Sequence, residues 1–335
     1  MYRDNMELLT GKVHNFLLNH GALGDMLTSL PALVQARRAH HTDLKMKVWV
    51  ATWQQELVKL LLAPYGEFEV LDLATFPEKK VMTQSWDGGP VSMNTALQPL
   101  APTHTRNRVH MVDYAFAFLT DSRPESMLER SYPTAAPLGA REIQSDYVVF
   151  PVGATSENKL FRASVMTPIL KWVSDRGYLP VLVGTKVSNT FSVAGGHAPE
   201  KLKIIDQAEL IPAELIARCV DRREKTTLLE LRDILGHAKA VVGVDGGTLH
   251  LAGTTDTNII FASGTTLPKH RYIARNGNPS HKIRYVGPRD LACTGCQSNW
   301  TLMAGDFRFC AYGDSKCMSL LHPDDFVAGL KDLGL

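Results

Sequence analysis

The residues able to do chemistry here are two aspartates in glycine turns, a distant lysine and a cluster of cysteines. Residues 17–33 read LLNHGALGDMLTSLPAL: a short apolar strand end, a glycine-hinged turn, and an amphipathic helix opening at Gly24-Asp25. Such a turn offers backbone N–H groups and the positive end of a helix dipole to an anion or a polarised hydroxyl. Asp25, at the mouth of that turn, is either a catalytic base or an N-cap, a position that Asp favours. The second turn is VVGVDGGTLHLAG, residues 241–253. Lys239–Val244 reads as a buried strand, Asp245-Gly246-Gly247 as a tight turn, and Thr248–Gly253 as a short helix. Paired glycines let a backbone approach a ligand closely, and the helix start after them offers N–H donors to a phosphate. No Walker A spacing and no GxGxxG occurs, so neither an ATPase nor a dinucleotide fingerprint is supported.

These turns need a layered scaffold, and the apolar pattern supplies one. Strands are expected at Val13–Leu18, Lys47–Val50, Glu69–Leu73, Tyr147–Val152 and Leu179–Val183. Helices are expected at Leu27–Ala39, Gln54–Ala63, Ser164–Arg176, Thr227–His237 and Pro323–Leu333, with Pro31 weakening or bending the first. Alternating strands and helices make an α/β fold. Residues 84–110 read as long loops, and Pro133–Ser145 as the domain joint, giving expected domains 1–140 and 141–335.

At 335 residues, 44% hydrophobic and 21% charged, the chain suffices for two ordinary cores. No apolar stretch approaches the ~20 residues needed to span a bilayer. Nothing at Met1–Glu7 resembles a signal-peptide h-region, so a cytoplasmic protein is expected. A net charge of +2 by itself implies no polyanion partner.

In their order along the chain, GALGDML-TSLPAL and VVGVDGGTLHLAG resemble the paired signatures of the heptosyltransferase family of glycosyltransferases, family nine. The segment Val149–Lys159, VFPVGATSENK, with its small and hydroxyl residues after a strand, resembles the opening of that family's second domain. The resemblance spans roughly residues 12 to 265 and implies the GT-B architecture, two Rossmann-like domains facing across a cleft. It implies an inverting transferase that moves a sugar from a nucleotide-diphosphate sugar to an acceptor hydroxyl, without a metal in the chemistry. Asp25 would then be the base, accepting the acceptor's proton as the new C–O bond forms. Gly24 in the first turn, and Lys159 with Thr155 and Ser156, would serve the donor diphosphate; Lys159 read alone is a surface lysine. Gly246, Gly247 and Thr248 would cradle the diphosphate, with Asp245 fixing the turn rather than touching the reacting sugar. His250 is either a core histidine satisfied by a backbone carbonyl or a donor contact. One departure concerns the nucleotide: where family members often carry an acid after the strand matching Leu179–Val183, this chain has Gly184-Thr185-Lys186-Val187.

Cys293, Cys296, Cys310 and Cys317 form C-x2-C-x13-C-x6-C, while Cys219 stands apart. In a reducing compartment such clustering points to a structural metal, zinc or a single iron, ahead of metal-free thiols or disulfides. The autotransporter heptosyltransferases look similar here, with a cysteine finger near the C-terminus. Residues 266–289 hold Lys269, Arg271, Arg275, Lys282, Arg284 and Arg289 without any acid, interleaved with Tyr272 and Tyr285; Trp300, Phe307, Arg308 and Phe309 follow. That composition suits either a solvated loop lending an arginine to the donor or contacts to nucleic acid. The acceptor is therefore a saccharide, a protein or a hydroxylated base in DNA, as for phage DNA-modifying transferases. A different class is a non-catalytic nucleic-acid-binding protein that uses the finger and the basic segment.

Overall fold

A computed structural model describes residues 14–18, 23–39, 46–75, 91–92, 112–113, 125–154, 157–185, 187–192, 200–203, 205–289, 291–296, 310 and 312–335. The chain forms two compact units, residues 1–135 with 273–279 and residues 136–272 with 280–335. Among the described residues, no helix is long and apolar enough to cross a membrane.

In the first unit the elements run β1 (His14–Leu17), α1 (Leu23–Ala39), β2 (Met46–Val50), α2 (Gln55–Leu62), β3 (Phe68–Asp72) and β4 (Val91–Ser92). The strands make a parallel sheet in the order β3-β2-β1-β4, with β1 in register from His14 opposite Met46 to Leu17 opposite Trp49. α1 begins earlier than expected, at Leu23, and continues through Pro31. A proline ring costs a mid-helix hydrogen bond. Burial outweighs that cost, since Met26, Leu27, Leu30, Ala32 and Leu33 are all fully buried. Val91–Ser92 forms a strand inside the stretch expected to be loop.

The second unit continues with β5 (Tyr147–Pro151), β6 (Gly153–Ala154), α3 (Ala163–Asp175), β7 (Leu179–Val183), β8 (Val187–Ser192), β9 (Glu200–Lys203), β10 (Ile205–Asp206), α4 (Ala213–Ile216) and β11 (Val220–Asp221). After these come α5 (Leu228–His237), β12 (Ala240–Val244), α6 (Gly247–Ala252), β13 (Asn258–Ala262), α7 (Pro268–Arg271), β14 (Ile283–Val286), α8 (Lys316–Ser319) and α9 (Pro323–Asp332). Six strands form a parallel sheet in the order β11-β7-β5-β12-β13-β14, while β6 pairs with β10 and β8 with β9, both antiparallel. The central strands are continuous apolar runs, as a sheet covered on both faces requires. Val148, Val149, Val181, Leu182, Val241, Val242, Ile259, Ile260 and Phe261 are fully buried. α5 starts with a capping box: Thr227 Oγ1 accepts from the Glu230 N–H, and Glu230 accepts from the Thr227 N–H at 2.7 Å. Thr227 is thus the cap rather than the first helical residue. The same helix holds the start of this unit, because Asp233 accepts from the Leu138 and Gly139 N–H groups and the fully buried Arg232 donates to the Ala136 carbonyl.

Candidate functional site

The strand order of the second unit locates the site. From β5 the chain steps to β7 and β11 on one side, and from β12 to β13 and β14 on the other. The sheet therefore reverses between β5 and β12, and ligands of open α/β sheets bind outside the carboxyl ends of the strands at such a reversal. The Glu157–Lys159 turn follows β5 and β6; Asp245 and Gly246 follow β12. Gly243 allows these elements to close up, since a Cβ there would meet Leu249 Cδ1 at 2.3 Å and the Pro151 ring at 3.3 Å.

At this point Lys159 Nζ lies 3.2 Å from Asp245 Oδ2. The His250 ring nitrogen Nε2 is 3.2 Å from Asp245 Oδ1, and Thr266 Oγ1 donates to Oδ2 at 3.0 Å. The Asp245 N–H donates to the Ala262 carbonyl, fixing the turn to β13. Burial by itself would raise the Asp245 pKa; the Lys159 charge, then the His250 bond and the Arg271 charge, outweigh it and hold the carboxyl well below the usual range. Asp245 is thus ionised. The imidazole it binds is buried and lies edge-on to Phe261, with ring centroids 6.1 Å apart. His250 is bonded to the Asp245 carboxylate. Lys159 is a partly buried, paired cation rather than a surface lysine. α6 opens directly after Gly246, so its first N–H groups, at Gly247 and Thr248, have no partner one turn earlier. Thr155 and Ser156 lie outside the described residues.

Thr266 was missed by sequence reasoning. It lies just past β13 at the same sheet edge, and that placement was the available signal. A second charged group at this edge was also missed: Arg223 bridges Asp206 at 2.6 Å and Asp221 at 2.7 Å, and the Arg223 bonds lower the Asp221 pKa to about 2. Acids therefore end β10 and β11, although none follows β7.

In the first unit Asp25 is half-buried and occupies the first turn of α1, two residues inside its start. It is not the N-cap. Its carbonyl accepts from Thr28 Oγ1 at 2.8 Å and Ser29 Oγ at 3.0 Å, and its carboxylate sits in the turn where the helix dipole favours negative charge. Gly24 precedes it in the same turn.

Cys293, Cys296, Cys310 and Cys317 line one small cavity, together with Asn158 and Thr265. Burial, followed by the charges of the other three thiols, pushes the Cys317 thiol up to about 12. All five cysteines are free, and Cys219 lies apart with its thiol raised by burial to about 11. Among the described residues, no group of three or more His, Cys, Asp or Glu side chains is set to hold a metal ion. The thiols converge without closing to a coordination geometry.

Several cations of the basic segment have acidic neighbours within the protein. Lys282 pairs with Asp256, Arg284 lies 3.9 Å from Asp332, Arg289 pairs with Asp325, and Arg275 is 1% exposed. The Arg271 charge acts on Asp245. Residues 297–309, with Trp300, Phe307, Arg308 and Phe309, lie outside the described residues.

No curated protein matches the chain in sequence. Residues 121–274 match the family described as glycosyltransferase family 9 (heptosyltransferase). Among solved structures, the bacterial iron-containing dodecameric glycosyltransferase TibC of enterotoxigenic E. coli H10407 is similar at a TM-score of 0.68 and 16% identity, over 97% of this chain and 77% of that one. TibC has also been solved in complex with ADP-D-β-D-heptose. The ADP-heptose LPS heptosyltransferase II of E. coli matches at 0.60 and 14% identity over 96% and 98% of the two chains. E. coli heptosyltransferase WaaC with ADP matches at 0.57 and 14% identity over 96% and 100%. Residues 121–274 are thus a glycosyltransferase family 9 segment, and the chain shares the α/β fold of these heptosyltransferase structures along nearly its whole length.

Proposed function

We propose that the protein is an inverting glycosyltransferase that takes a sugar from a nucleoside-diphosphate sugar, with ADP-heptose as the donor to try first because a similar structure binds it. The observation that carries this reading is the Lys159–Asp245 pair beside the start of α6, at the point where the sheet reverses. Lys159 supplies a cation to the departing diphosphate, and the Gly247 and Thr248 N–H groups supply neutral donors, which together stabilise charge that develops as the anomeric C–O bond breaks. Asp25 in the first unit accepts the acceptor hydroxyl's proton as the new C–O bond forms. The acceptor is a saccharide or a protein hydroxyl. The internal pairing of Lys282, Arg284 and Arg289 favours these over DNA, and it disfavours the non-catalytic nucleic-acid reading.

The cysteine cavity is read as a structural metal site. Four soft donors crowd one cavity, where burial and then the three neighbouring thiols raise the Cys317 thiol; zinc or a single iron suits such a set. A similar structure is described as iron-containing. Cys293, Cys296, Cys310 and Cys317 would hold the ion, which contributes stability to the fold and no step of the transfer. The test of the whole reading is Asp25→Asn: turnover of ADP-heptose should fall roughly 10²-fold or more with ADP affinity retained. Near-normal turnover would leave Asp25 with a helix-dipole role only.

A further inference from the structure

We propose that Asp245 is a positioning residue: its carboxylate holds the Lys159 ammonium, the His250 imidazole and the Thr266 hydroxyl in place at the sheet reversal and makes no contact with the sugar. The proposal rests on the donor-site reading above and adds a role that differs from donor contact. Its first support is saturation. An ionised carboxylate only accepts hydrogen bonds and offers about four lone-pair sites. His250 takes one on Oδ1, while Thr266 and Lys159 take two on Oδ2. The side chain is only 9% exposed, which leaves little of it for a substrate hydroxyl.

Its second support is the direction of each bond. Because an ionised carboxylate cannot donate, His250 Nε2 must carry the proton in this bond, so Asp245 fixes which ring nitrogen faces it. Lys159 carries three N–H donors and gives one to Asp245. With a quarter of its side chain still exposed, the ammonium can meet an anion while remaining tethered. Thr266 links the loop after β13 to the same oxygen, and the Ser263 hydroxyl closes that loop by donating to the Thr266 carbonyl at 2.6 Å. Lys159, from a remote segment, thus meets His250 and Thr266 on one carboxylate. An unpaired buried carboxylate would be strongly disfavoured, so the partners and the carboxylate hold one another in place.

The experiment is a calorimetric double-mutant cycle with ADP and ADP-heptose as probes. If Asp245 acts through Lys159, Asp245→Asn weakens both probes by the same factor, about tenfold. Lys159→Met does likewise, and the double variant is no more than about twofold worse than Lys159→Met alone. Losses that multiply in the double variant, or a loss by Asp245→Asn confined to ADP-heptose, overturn the proposal while leaving the donor site standing. Failure of the unsubstituted protein to bind either probe overturns the donor-site reading, and this proposal with it. Should Asp245→Asn not fold, Thr266→Val removes one partner: a loss shared equally by both probes supports positioning, and one confined to ADP-heptose overturns it.

Discussion

Gly264 lies against Cys317 so closely that a Cβ at 264 would stand 3.1 Å from the Cys317 Cβ and 3.2 Å from its Sγ. The Gly264 carbonyl also accepts from the Gly295 N–H at 2.8 Å. The cysteine segment is therefore packed directly on the loop after β13, the loop whose Thr266 bonds Asp245. Gly264→Ala should overpack this contact and destabilise the protein by about 1–3 kcal/mol. A thermal melt checks it; an unchanged Tm would show that the thiol segment shifts aside freely.

The thiol cavity makes a compositional prediction. Protein purified under reducing conditions should contain about one zinc or iron per chain, and Cys293→Ser should lower both metal content and Tm, because metal binding contributes folding free energy. Elemental analysis that finds neither metal would return the four cysteines to the status of packed thiols.

Acid stability should report on Asp245. Its native pKa is lowered, chiefly by Lys159 against the opposing effect of burial. A depressed carboxylate contributes stability that is fully present above its unfolded value near 3.9, and loses it as pH falls from there towards the native value. The unsubstituted protein should thus lose stability more steeply below about pH 4 than Asp245→Asn does. Denaturant melts from pH 5 to pH 2.5 give the comparison, and parallel curves would contradict it.

The acid-free segment 266–289 should not behave as a nucleic-acid surface. Lys282, Arg284 and Arg289 face Asp256, Asp332 and Asp325, so few counterions remain to be released. Fluorescence anisotropy with a labelled duplex should show binding no tighter than about 10⁻⁴ M at physiological salt. Micromolar binding with a steep salt slope would reopen the DNA acceptor.

The sequence revealed the strands that are buried on both faces, because a covered parallel strand must be a continuous apolar run. Leu179–Val183 and the core of Ala240–Val244 are such runs. It concealed β8 and β9, whose polar residues carry no such signal, and β14, whose Ile283–Val286 was masked by the charges around it. The start of α1 was placed too late because Gly24 read as a hinge, whereas tertiary burial carries the helix back to Leu23 and onward through Pro31. In the site, Asp245 and Lys159 stood out by motif. Thr266 did not, since its bond to Asp245 spans 21 positions and exists only through the neighbouring placement of β12 and β13.

The central claim is that the sheet reversal of the second unit binds a nucleoside diphosphate through Lys159. Calorimetric titration of ADP into the unsubstituted protein and into Lys159→Met tests it most directly. The account predicts saturable one-site binding that weakens about tenfold or more when the ammonium is removed. No binding of ADP, UDP or GDP, or ADP affinity unchanged in Lys159→Met, would contradict it.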